Sequence, residues 1–146
     1  MSEHAVEVIR RTFDQASRVT DPSGRVLDVL DRDTRAVVFD SFDPQIEVQE
    51  DPRFPEAGLY RGREAVGRYF SQFTENFDAF TFEAEDFIDL DEQRALVVFR
   101  LRTRGKGSGA TVEEQPGWIY TIHGGKVMRI EAYLDHREAF AAAGLG

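Results

Sequence analysis

The sequence predicts an α+β domain with helices packed over one face of a strongly curved sheet. Apolar residues recur at every third or fourth position early in the chain, whereas from Phe80 onward they alternate with polar ones, as in a half-buried strand. Glycine and proline fall between these stretches, where the backbone must turn. A chain of 146 residues that is 41% hydrophobic suits one core, so a single domain over residues 1–146 is expected.

Val6, Ile9, Phe13 and Ala16 lie along one stripe of a first helix, with Arg10, Arg11 and Asp14 facing away. Pro22, which has no N–H to donate, and Gly24 interrupt it. Val26, Leu27 and Leu30 form the apolar face of a second helical stretch, and Asp33 suits the N-cap of a further one carrying Val37, Val38 and Phe42. Asp43-Pro44 is expected to end that helix. Ile46 and Val48 then alternate with Glu47 and Gln49 in a strand that stops near Asp51-Pro52. Beyond a proline-containing loop, Gly62 precedes a helix whose Val66, Tyr69, Phe70, Phe73 and Phe77 form a wide aromatic face. Strands follow at Phe80 to Glu85 and Ala95 to Phe99. Gly105 to Gly109 is a flexible link to a strand around Thr111 to Ile122, and His123-Gly124-Gly125 is a tight turn. The final strand, Lys126 to Asp135, runs into a short helical tail, His136 to Ala143.

A formal charge of −9 argues against a nucleic-acid partner, since binding a polyanion needs a cationic surface to displace counterions. No apolar run is long enough for a membrane span, and the charged opening Met1-Ser2-Glu3-His4 lacks a signal-peptide apolar stretch. With no cysteine, disulfides and thiolate chemistry are absent, and a cytoplasmic protein is the simplest expectation. His4, His123 and His136 make no metal-ligand spacing with one another, so no metal site is expected.

Two segments carry a family resemblance. Tyr60-Arg61-Gly62-Arg63-Glu64-Ala65-Val66 opens a helix, and later the His123-Gly124-Gly125 turn leads into Lys126-Val127-Met128-Arg129-Ile130-Glu131-Ala132-Tyr133-Leu134-Asp135 and the tail. In that order they resemble the SnoaL-like and ketosteroid-isomerase-like branch of the nuclear transport factor 2-like superfamily, with likeness extending from Val6 to Leu145. The resemblance implies a cone-shaped, barrel-like domain with a mostly antiparallel sheet and N-terminal helices on its concave face, enclosing a small pocket. It also implies a small hydrophobic or aromatic ligand, no cofactor and frequent homodimerisation. One departure is visible: the stretch from Val19 to Asp33 is longer than the family's usual link between its first two helices.

Two aspartates are candidates for proton transfer. Asp51, in Glu50-Asp51-Pro52, resembles the proton-shuttling aspartate of ketosteroid isomerases, and a carboxylate flanked by Phe54, Phe70 and Phe73 would be partly desolvated, which raises carboxylate pKa and favours general-base chemistry. The alternative is an Asp-Pro strand terminator in water. Asp135 resembles the acid/base aspartate near the end of the last strand in SnoaL-like polyketide cyclases; the alternative is an N-cap for the tail helix, with Glu138 completing a capping-box-like pair. The isomerases' oxyanion-donating tyrosine is replaced by Phe13, and Trp118 falls near their second donor position, so steroid isomerisation is not expected.

Trp118 and Tyr120, two apart on one strand, share a face. With Tyr133 and Phe99 on neighbouring strands, and with Phe13, Tyr60, Phe70 and Phe73, they are the expected ligand-lining residues; ordinary core packing is the alternative. Arg61 or Arg63 could fork onto a ligand carboxylate or pair with surface acids. Two functions stay open: a cofactor-independent isomerase, cyclase or hydratase-type enzyme using Asp51 or Asp135, and a non-catalytic ligand-binding or dimerisation module.

Overall fold

The structure, a computed structural model, describes residues 5–11, 41–51, 58–75, 77–105 and 107–145, with side chains described in these segments except over residues 70–83. Its elements are α1 (5–11), β1 (Phe42–Gln49), β2 (Leu59–Arg61), α2 (Arg63–Glu75), β3 (Phe77–Asp89), β4 (Arg94–Gly105), β5 (Thr111–Glu114), β6 (Gly117–His123), β7 (Lys126–Tyr133) and α3 (His136–Ala142). Phe13, Ala16 and everything read between Val19 and Val38 lie outside the described residues.

Local chemistry sets the two long hairpins. Between β3 and β4, Asp91 Oδ1 accepts from the amides of Gln93 and Arg94, both at 2.8 Å, closing a turn that its side chain would otherwise leave open. Between β6 and β7, Gly124 and Gly125 have φ of 59° and 76°, a left-handed pair that matches strand twist in a two-residue hairpin. The sheet runs β2-β1-β7-β6-β4-β3, with β5 also on β4. Neighbours pair antiparallel except β1 and β7, which are parallel. This is the expected α+β architecture, a mostly antiparallel sheet whose described strands do not close into a complete barrel.

Four expected boundaries move, the first at Phe77, which opens β3 instead of extending the aromatic face of α2. Phe42 starts β1 instead of ending a helix, and over Phe42 to Glu47 this strand spends three more residues than β7 does. Pro44 lies in that interval and cannot donate to the ladder, so the pairing bulges around it. The expected strand from Thr111 to Ile122 is two strands, split at Gln115-Pro116. There the carbonyls leave the local ladder: Pro116 O accepts from Phe99 N at 2.9 Å and Gln115 O from His136 N at 2.8 Å. The last strand ends at Tyr133, because Asp135 caps α3 by accepting from Arg137 N at 2.9 Å.

β4 shows how the sheet divides two cores. Ala95, Val97 and Phe99 point to the concave side, where they meet Ala5, Val8 and Ile9 of α1, Val66 of α2, and Ile46 and Val48 of β1. Leu96 and Val98 point to the convex side and, with Ile119, pack under Ala139 and Phe140 of α3. Farther along β4 that convex side turns polar, with Arg100 and Arg102 paired to Glu85 and Glu113. No helix among the described residues is long and apolar enough to cross a membrane.

Candidate functional site

The concave face is laid out in rows across the strands. Val48 of β1 sits beside Ile130 of β7, which sits beside Tyr120 of β6, which sits beside Ala95 of β4. All four are buried, none more than 5% exposed. In the next row Trp118 lies between Ala132 and Val97, and the β1–β7 register carried one residue further sets Glu50 beside Ala132. Here Glu50, Ala132 and Trp118 are all half-buried. The interior is therefore sealed at one row and accessible at the next, toward the end where β1 and β7 finish.

Alternation puts Glu50 on the same face as Ile46 and Val48. Tyr60, opposite Val48 on β2, donates from its hydroxyl to Glu50 Oε1 at 2.9 Å. Its ring stacks on Tyr69 of α2 with centroids 4.6 Å apart. The hydrogen bond to Glu50, then burial, raises the Tyr60 pKa; burial, then the Glu50 charge, raises that of Tyr69. Both phenols thus remain protonated donors at neutral pH.

Asp51, one residue on, is 2% exposed. Its Oδ2 accepts from Leu134 N at 2.9 Å, so a carboxylate takes the place of a main-chain carbonyl where the β1–β7 ladder runs out. Asp135 stands on the outer side of that corner. Besides capping α3, it forms an ion pair of 2.7 Å with Arg137, which with the Arg137 amide holds its carboxyl well below the usual carboxylate range. An open depression of about 580 Å³ lies here, bounded by Glu114, Gln115 and Leu134 through Arg137.

Of the aromatic residues expected to line a ligand, Phe99, Trp118 and Tyr120 come together on the concave face. Phe99 meets Trp118 edge to face at 5.2 Å, and Trp118 and Tyr120 are 6.3 Å apart. Phe99 and Tyr120 are buried, so Trp118 is the accessible member. Tyr60 joins from β2. Tyr133 goes elsewhere: opposite Gly117, it falls on the convex face against the α3 cluster, because it is an odd number of residues from Ile130 and Ala132. Phe13 and the side chains of Phe70 and Phe73 lie outside the described residues. Arg61 pairs with Glu47 at 3.1 Å, and Arg63 donates to the Phe42 carbonyl at 3.0 Å.

Glu50 is the residue that sequence reading passed over in favour of its neighbour. The signal was present, since Ile46, Val48 and Glu50 keep one alternation. Among the described residues no three His, Asp or Glu side chains converge to hold a metal ion.

Comparison with known proteins agrees with this architecture. The profile of a family described as a SnoaL-like domain matches residues 23–130. No curated protein matches the sequence. Among solved structures, a nuclear transport factor 2-like protein from Burkholderia thailandensis E264 superposes with a TM-score of 0.70 at 21% identity, covering 97% of this chain and 98% of that one. A candidate SnoaL-like polyketide cyclase from Jannaschia sp. CCS1 gives 0.67 at 17%, covering 97% and 92%. TerC, co-crystallised with polyporic acid, gives 0.66 at 15%, covering 96% and 98%.

Proposed function

This chain belongs to the SnoaL-like domain family, and on that premise we propose that its concave interior binds a small hydrophobic molecule and acts on it by acid–base chemistry, with Asp51 as the proton-transferring carboxylate. The observation that carries this reading is the 2% exposure of Asp51 at the end of β1, directly after Glu50, whose row is accessible. A carboxylate withdrawn from bulk water beside an apolar wall is what abstraction of a proton next to a carbonyl or enol requires. Tyr133 borders Asp51, and the accessible row before it offers the apolar surface of Trp118 and the protonated hydroxyl of Tyr60. Isomerisation or cyclisation of such a substrate needs no redox partner, since the proton removed from one position returns at another. TerC, a similar fold co-crystallised with the small molecule polyporic acid, adds support at the level of ligand size. Asp135 has no part in this proposal, because its carboxylate is committed to the α3 cap and Arg137.

The Asp51–Leu134 hydrogen bond, together with a register that sets Asp51 beside Tyr133, favours a second reading, a binding module in which Asp51 only fastens the end of β1 to β7. Native mass spectrometry of the purified protein, looking for a co-purifying metabolite, names the ligand in either case. Turnover of that compound then separates the two. Asp51→Asn keeps an oxygen for the Leu134 amide and removes the basic carboxylate, so an enzyme loses about two to four decades of rate while its fold persists. Unchanged turnover in this variant would sink the catalytic reading.

A further inference from the structure

We propose that the row Glu50–Ala132–Trp118 is a subsite for a hydrophobic amine, with the ring system against Trp118 and the protonated nitrogen on the Glu50 carboxylate. This rests on the reading that the concave interior binds a small molecule, and it adds that molecule's chemical class. The register places the two recognition groups two strands apart on one face, about 10 Å at ordinary strand spacing. Between them stands Ala132, with only a methyl group, so one ring and a short linker fit across. The adjacent row of Val48, Ile130 and Tyr120 is filled to burial and offers no such opening.

The charge argument selects an amine. Three other half-buried carboxylates are matched by arginine: Glu47 by Arg61, Glu131 by Arg129 and Asp135 by Arg137. Glu50 instead receives a neutral phenol, Tyr60, and among the described residues no cation pairs with it. Tyr60 leaves the Glu50 charge intact while fixing its position, and Tyr60 in turn is held by the Tyr69 stack. A carboxylate oriented by a neutral donor and partly withdrawn from water attracts an ammonium group and repels a carboxylate. A net charge of −9 steers diffusing ligands in the same sense. Tyr60 is a positioning residue in this scheme.

The test uses three matched probes on the full chain: 2-phenylethylamine, 2-phenylethanol and 3-phenylpropanoate. Binding is read by calorimetry and by fluorescence of Trp118, the chain's one tryptophan. The amine should bind about tenfold more tightly than the alcohol, the equivalent of one charge-assisted hydrogen bond, and the carboxylate should bind weakest. Glu50→Gln, which still accepts from Tyr60, should lower amine affinity to that of the alcohol and leave the alcohol unchanged; Tyr60→Phe should reduce the amine preference in part. Equal binding of amine and alcohol, or a preference that survives Glu50→Gln, overturns the subsite while binding in the interior stands. If none of the three gives heat or perturbs Trp118, both the subsite and the small-molecule reading fall.

Discussion

Replacing Gly117 by alanine would place a methyl carbon 2.8 Å from Ala139 Cβ and 2.9 Å from His136 Cα. Carbon atoms prefer about 3.5–4.0 Å, so both contacts are deep in the repulsive range. Neither is cheaply relieved. Ala139 has no rotamer to change and His136 Cα is backbone, so α3 as a whole must lift from the sheet or the β6 edge must give. Overpacking of this kind costs about 1–3 kcal/mol, and at a chain length near 150 residues each kcal/mol lowers Tm by about 2–4 °C. The expected drop for Gly117→Ala is therefore about 4–8 °C at a mid-range cost of about 2 kcal/mol, measured by thermal and urea unfolding followed by circular dichroism. Ala139→Gly removes the nearer collision and leaves the one with His136, so the double variant should show a favourable coupling of about 1 kcal/mol, set against the roughly 1 kcal/mol that a helical glycine costs by itself. The same shift would disturb the Gln115–His136 hydrogen bond and the Leu134 amide that holds Asp51. A Gly117→Ala protein melting within about 2 °C of the parent would refute this account of how α3 seats on the convex face.

Asp135→Ala should destabilise the protein by about 1 kcal/mol at neutral pH through loss of the α3 cap. Because the folded-state pKa of Asp135 is lowered, its contribution is full above the unfolded value of about 4 and declines as pH falls below it; urea midpoints of parent and variant should converge in acid, and a gap as wide at pH ~3 as at pH ~7 would contradict the pairing with Arg137. All four tyrosines have raised folded-state values, Tyr120 through burial alone. Ultraviolet titration of the folded protein should therefore trail that of the unfolded chain, and stability, steady below about pH 10, should fall as pH rises through it. A tyrosine ionising normally in the folded state would contradict the packing described for it.

Much of the fold was legible because it rests on local chemistry. The glycine pair at 124–125, the Asp135 cap and the period-two run of β4 are each decided by a few adjacent residues. Where distant segments compete, local reading misplaced residues. Phe42 has helical-stripe spacing with Val38, yet it pairs with Val127 of β7, a partner 85 positions away. The division between Trp118 and Tyr133 failed to show for a related reason. Each is aromatic and each lies on a strand, but register, which couples two strands at once, decides which face each occupies.

The amino-acid order alone determined most of the described element types, the absence of thiol chemistry, the acidic charge and the identity of the two aspartates. Folding in three dimensions decided their employment. The parallel pairing of β1 with β7 brings Asp51 to the Leu134 amide, and α3 turns Asp135 outward onto Arg137. It also aligns Glu50, Ala132 and Trp118 across three strands from positions up to 82 residues apart. No local pattern encodes such a row, because hydrogen-bond register between strands is a property of the assembled sheet, fixed when the buried faces of every strand are satisfied together.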